Sequence, residues 1–179
     1  MPEFVVPTLT FMLGVAAAIA KPAIVDLSQQ WIARFMAKRR LHIWGNSRLG
    51  GDWFHTWYAQ GSTEWPDEND CEVRLSVVGR HAAGFYTYQG EEWLVYLRLD
   101  EDRLVTGLWS SVAKNGYRGT LTGHLDLSGN TIVGYYLGNA NRPSKTGVGE
   151  WVWWRKGHSK PDLTIPLIQL AKRDTSPEL

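Results

Sequence analysis

LVTGLWSSVAKNGYRGTLTGHLD, residues 104–126, decides the fold. Its two halves alternate with period 2 around Lys114-Asn115-Gly116, and Asn-Gly is the pair that type I′ hairpin turns favour because both central residues take positive φ. Leu104 to Ser111 reads as one strand. Beyond the turn, Tyr117, Gly119, Leu121, Gly123 and Leu125 share one face, with Arg118, Thr120, Thr122, His124 and Asp126 on the other.

The same grammar extends both ways. Upstream, Trp53, His55, Trp57 and Ala59 form one row, and Val73, Leu75 and Val77 a second, with Arg74, Ser76 and Arg80 facing away. Phe85 to Tyr88 is followed by a Gln89-Gly90 turn, then by Trp93, Val95, Leu97 and Leu99, with Leu94, Tyr96 and Arg98 opposite and Asp100-Glu101-Asp102 as the stop. Downstream, Ser128-Gly129-Asn130 turns the chain into Val133, Tyr135 and Leu137, and a longer loop, Asn139 to Gly147, leads to a last strand at Glu150 to Arg155. Eight short strands in residues 51–155 must deal with their edges, and eight is about the smallest number that closes around side chains or one small ligand. The reading is therefore all-β: a closed eight-stranded antiparallel up-and-down barrel, with in-strand glycines (Gly79, Gly84, Gly107, Gly119, Gly123, Gly134, Gly138) at bulges and corners. All seven Tyr and most of the Trp fall within it. An outer-membrane barrel is excluded, since Arg74, Arg80, Arg98, Arg118, His124 and Asp126 occupy the face that lipid would need.

Phe4 to Ala20 (FVVPTLTFMLGVAAAIA) carries no charge, and its seventeen residues reach roughly 26 Å at ~1.5 Å per residue, close to a bilayer core. Residues 1–22 are thus expected to form a transmembrane segment. Glu3 is the only charge before the run, which argues against a cleavable signal, whereas Lys21, Arg34, Lys38, Arg39, Arg40 and Arg48 follow it. The positive-inside rule then predicts a single-pass protein of the inner (cytoplasmic) membrane with its barrel in the cytoplasm. The alternative is an N-terminal helix packed on the barrel or on a partner. Residues 23–44 read as an amphipathic juxtamembrane helix, with Ile24, Leu27, Trp31, Ile32, Phe35 and Met36 on the apolar side, suited to a lipid surface or to copies of itself. Residues 45–160 form the ligand-binding barrel domain and residues 161–179 a tail. A net charge of +1 makes no electrostatic claim on DNA or RNA polymers, and the single Cys71 rules out an internal disulfide.

No nucleophile constellation, zinc spacing or phosphate loop stands out among the five scattered histidines and the acid pairs in turns. Enzyme activity, metal and cofactor are accordingly not expected. The most suggestive chemistry lies where Asn139, Asn141, Arg142, Ser144, Lys145 and Thr146 follow Tyr135 and Tyr136, with Arg118 beside Tyr117 as a second cation. Amides for base edges, cations for phosphate and rings for stacking are what a nucleotide asks for. Tyr117, Arg118, Tyr136, Asn139, Asn141, Arg142 and Lys145 are the candidate ligand-binding residues.

Leu49-Gly50-Gly51-Asp52-Trp53 resembles the Gly-x-Trp opening of lipocalin-like barrels, in which a Trp plugs the closed end. With the membrane segment and basic stretch added, the layout resembles the membrane-anchored β-barrel effectors of bacterial cyclic-oligonucleotide anti-phage signalling systems (CBASS). That resemblance implies a barrel that binds a cyclic nucleotide, and chains that homo-oligomerise and damage the inner membrane. Those effectors typically have two transmembrane helices, whereas Ala23 to Met36 here carries polar residues along one side. The other readings are a lipocalin-like carrier of a small apolar ligand, with an interior of Trp, Leu and Val only, and an anchored scaffold that binds protein.

Overall fold

The computed structural model describes residues 30–43, 48–59, 65–113, 117–139 and 146–161. Period-2 alternation becomes strand after strand: β1 (His42–Ile43), β2 (Gly51–Tyr58), β3 (Glu68–Val78), β4 (His81–Tyr88), β5 (Glu91–Leu99), β6 (Leu104–Ser111), β7 (Arg118–Leu125), β8 (Thr131–Asn139) and β9 (Thr146–Arg155). From β2 to β9 each strand pairs antiparallel with its sequence neighbour, and β2 pairs with β9 to close an eight-stranded barrel. β1 adds a short parallel pairing to the end of β3.

The predicted turns do what their residues allow. Gln89 and Gly90 take φ of 49° and 78°, the two positive values of a type I′ hairpin. The Asn115-Gly116 turn lies outside the described residues, while the strands it joins pair from Ser110 with Arg118 onward. Asp126 holds the β7–β8 turn by accepting the backbone N–H of Asn130 at 2.8 Å and of Thr131 at 3.0 Å.

Two features differ from expectation. The longer loop is shortened from both sides, because β8 runs to Asn139 and β9 begins at Thr146. The in-strand glycines mostly serve to make room. A Cβ on Gly138 would come within 1.9 Å of Trp109 Cζ2, and one on Gly123 within 3.2 Å of the Gly134 Cα across the strand pair. Small inward residues let the wall carry large rings next door.

Residues 30–39 form helix α1 against the outer face of β4 and β5, where Ala33 and Met36 are buried with Ala83 and Leu94. The expected apolar side is therefore split. Met36 faces the barrel, whereas Trp31, Ile32 and Phe35 are exposed. The physical reason is size, since Ala33 and Ala37 let the helix approach the wall closely. Ile24 and Leu27, the membrane segment expected in residues 1–22 and the tail beyond residue 161 lie outside the described residues. Among the described residues no helix is long and apolar enough to cross a membrane.

Candidate functional site

The barrel interior changes character from one end to the other. At the end where β2 begins and β9 finishes, Leu75, Val77, Leu97, Val105, Leu125 and Ile132 fill the space. Trp53 is fully buried there and donates its indole N–H to the Leu49 carbonyl at 2.8 Å. The Arg155 guanidinium lies 4.6 Å over the Trp53 ring. It donates to the carbonyls of Gly129 at 3.0 Å and Gly50 at 2.7 Å, and also to that of Arg48. Trp53, with Arg155 over its ring, fills this end of the barrel. His158, just past β9, is exposed on this same side.

Midway, His55 is wholly buried, stacked on Trp153 with centroids 4.5 Å apart and edge-on to Tyr86 at 4.7 Å. Trp151 donates its N–H to His55 Nδ1 at 2.9 Å. Burial drives the imidazole pKa down to about 3, against a smaller opposing pull from Asp70, so the ring is neutral. Cys71, opposite His55 on β3, is likewise silenced, its thiol pushed up to about 12 by burial.

At the other end the lining is aromatic. Trp57, Trp65, Trp93, Trp109 and Tyr136 form a closed circuit of rings, with successive centroids at 5.5, 6.3, 5.9 and 6.2 Å and Tyr136 back to Trp57 at 6.1 Å. Tyr88 packs on Trp57 at 5.4 Å and Tyr117 on Trp93 at 6.1 Å. Aromatic pairs favour these edge-to-face and tilted contacts, so the circuit is self-supporting. Strand geometry places it: these residues sit at the ends of β2, β4, β6 and β8, the starts of β5 and β7 and the segment leading into β3. Asn69 ties the rim, donating to the carbonyls of Pro66 at 2.7 Å and Trp57 at 3.2 Å and accepting the Tyr88 hydroxyl. Tyr136 donates its hydroxyl to the Tyr58 carbonyl at 2.9 Å, and burial raises its pKa to about 12.

Most of the buried polar side-chain atoms without a hydrogen bond here are donors, Glu91 Oε2 being the acceptor among them. His55 Nδ1 accepts from an indole, which can only donate, so the imidazole proton sits on Nε2. That N–H and the indole N–H groups of Trp93 and Trp109 are buried with no acceptor among the described residues. The Trp57 N–H meets only the Cys71 sulfur, a weak acceptor. Buried donors normally find partners, so a cluster lacking them marks a place where an acceptor belongs. Glu91 lies on the inward row of β5 at the rim, two residues before Trp93.

Of the sequence-derived candidates, Tyr117 and Tyr136 belong to this lining. Arg118 starts β7 at the same end but is exposed on the outward row, and the Asn139 backbone pairs with it in register. Asn141, Arg142 and Lys145 lie outside the described residues, in the segment joining Asn139 to its β9 partner Thr146 at this end. Sequence reasoning missed Trp57, Trp65, Tyr88, Trp93, Trp109 and His55 as a group. Their signal was the coincidence of aromatic residues with inward rows at alternating strand ends. Among the described residues no three His, Cys, Asp or Glu side chains gather as a metal site. No protein-family model matches the chain, and no curated protein matches it in sequence.

Proposed function

We propose that this chain is a non-enzymatic receptor-effector whose barrel binds a cyclic oligonucleotide at the aromatic end. In this reading residues 4–20 anchor it in the inner membrane, the barrel lies in the cytoplasm, and ligand promotes homo-oligomerisation and membrane disruption in anti-phage defence. The observation that carries the binding step is the closed circuit of five rings, two of which, Trp93 and Trp109, carry buried N–H donors without acceptors, together with the buried Nε2–H of His55. Rings stack on bases of any kind, at about 1–3 kcal/mol per base, and base edges carry the in-plane acceptors those donors lack. Glu91 at the rim accepts from exocyclic amino groups and repels phosphate, which favours a base entering first. Phosphates then remain outside, towards the segment that contains Arg142 and Lys145. An apolar carrier would need an interior of Trp, Leu and Val alone, whereas His55, Asn69, Tyr88 and Tyr136 face inward here. A quaternary ammonium would use the ring faces but leave the donors unmet.

The test is thermal denaturation of the full chain in detergent with cyclic di- and trinucleotides, fatty acids and choline. Ligand at about a hundred times its dissociation constant stabilises the fold by roughly 2.7 kcal/mol. Stabilisation by a cyclic nucleotide supports the reading. Stabilisation by fatty acid or choline alone overturns it.

A further inference from the structure

Helix α1 presents different sides to different surroundings. Ala33 and Met36 are 1% and 3% exposed against the barrel, whereas Trp31, Ile32 and Phe35 are 69%, 47% and 46% exposed on the far side. At 100° per residue the mean directions of the two sets lie roughly 120° apart, with Ile32 bordering Met36, so the outward stripe, Trp31 and Phe35 above all, turns away from β4 and β5. The stripe is organised nonetheless. Trp31 and Phe35, one turn apart, stack with centroids 5.8 Å apart and planes 9° from parallel, and the Arg39 guanidinium lies 6.0 Å over Phe35. Every charged residue from 30 to 41 is a cation: Arg34, Lys38, Arg39 and Arg40, all exposed.

We propose that α1 docks on an anionic lipid bilayer, its Trp31–Ile32–Phe35 stripe at the acyl boundary and Arg34, Lys38, Arg39 and Arg40 among head-group phosphates. This assigns a surface to the membrane part of the function proposed above and rests on that reading only for the presence of a membrane. Charge selects the occupant. A basic helix side with no acid of its own, carrying one Trp and one Phe at helical spacing, matches an anionic interface, where each cation contributes about fivefold in partitioning. A protein partner would have to bring both an apolar groove and a surplus of carboxylates. The consequence is orientational: the β4–β5 wall faces the bilayer.

The experiment uses the full chain carrying a nitroxide at Ile32→Cys, which leaves the Trp31–Phe35 pair intact, or at the exposed outer-wall position Thr122→Cys. Cys71, buried in the barrel with its thiol pushed up to about 12, does not compete for the label. Chains are floated with vesicles of phosphatidylcholine containing one-third phosphatidylglycerol, and label accessibility to oxygen and to a water-soluble nickel chelate is measured. The expected result is a label at 32 that is oxygen-accessible and nickel-shielded, a label at 122 with the reverse behaviour, and loss of shielding at 32 when Arg34, Lys38, Arg39 and Arg40 are all changed to Gln. A chain that floats with position 32 still in water overturns this inference and leaves the anchor standing. A chain that does not float on either vesicle type, with or without phosphatidylglycerol, overturns both. Shielding from both reagents without vesicles identifies a protein contact and overturns the lipid assignment.

Discussion

Trp151 donates its indole N–H to His55 Nδ1 at 2.9 Å, and that bond settles where the imidazole proton resides. The ring must be neutral with its proton on Nε2, a buried donor with no acceptor among the described residues. Because burial lowers the folded pKa to about 3 while the unfolded value is 6.5, the unfolded chain binds the extra proton throughout that interval. Stability from this group is therefore complete above pH 6.5 and is lost as pH falls towards 3.

Between pH 7 and pH 4.5 that loss amounts to about 3 kcal/mol for His55. His81, also lowered, by burial and then by Arg98 and Arg80, adds in the same direction. Asp70 and Asp126 act at lower pH, since hydrogen bonds from Thr56 and Lys160, and from Ser128 and backbone N–H groups, outweigh their burial and hold both below the ordinary carboxylate range. Urea unfolding at the two pH values is expected to show a clearly shallower loss in His55→Gln than in the natural chain. Equal losses would falsify the assignment of this acid sensitivity to His55.

The closed end makes a separate prediction. Arg155 stacks on Trp53 and donates to three loop carbonyls, so Arg155→Ala removes a cation–π contact and leaves those acceptors without their donor. A destabilisation of about 2–3 kcal/mol is expected, with little relief from Arg155→Lys because an ammonium cannot reproduce the planar fork. Denaturant midpoints measure it, and full recovery by Lys contradicts the geometry.

A third prediction concerns the wall behind Trp109. Gly138→Ala places a methyl within 1.9 Å of the Trp109 ring, while its register partner Gly147 has nothing nearer than a carbonyl oxygen at 4.0 Å. Gly138→Ala should cost about 1–3 kcal/mol and alter the near-ultraviolet circular dichroism of the indoles, with Gly147→Ala within about 0.5 kcal/mol of the natural chain. Similar behaviour of the two variants would mean that Trp109 does not lie against Gly138.

Much of the barrel was legible because alternation and turn chemistry act locally. Leu104–Ser111 emerges as β6 with both ends as read, and Tyr117, Leu121 and Leu125 face inward as their row requires. The reading was less secure on β8, where Val133, Tyr135 and Leu137 alternate with Ile132, Gly134, Tyr136 and Gly138. Both rows are apolar enough to face a core, and pairing decides for the second, which opposes Leu121 and Leu125. The aromatic circuit was invisible for a different reason. Trp57, Trp65, Trp93, Trp109 and Tyr136 come from five separate segments, and any one of them alone reads as ordinary core. Reasoning from loop composition instead drew attention to Arg118, whose strand end is at the right end of the barrel but whose side chain belongs to the outward row.

The central claim, that the unpaired N–H donors read a base inside the ring circuit, is tested most directly by titration calorimetry. The cyclic nucleotide that best stabilises the natural chain is titrated into it and into Trp93→Phe and Trp109→Phe, each of which keeps an aromatic ring but removes an N–H. A loss of one hydrogen bond of about 1.4 kcal/mol predicts roughly tenfold weaker binding for each variant. Affinity unchanged in both variants, or no binding to the natural chain, would contradict the account.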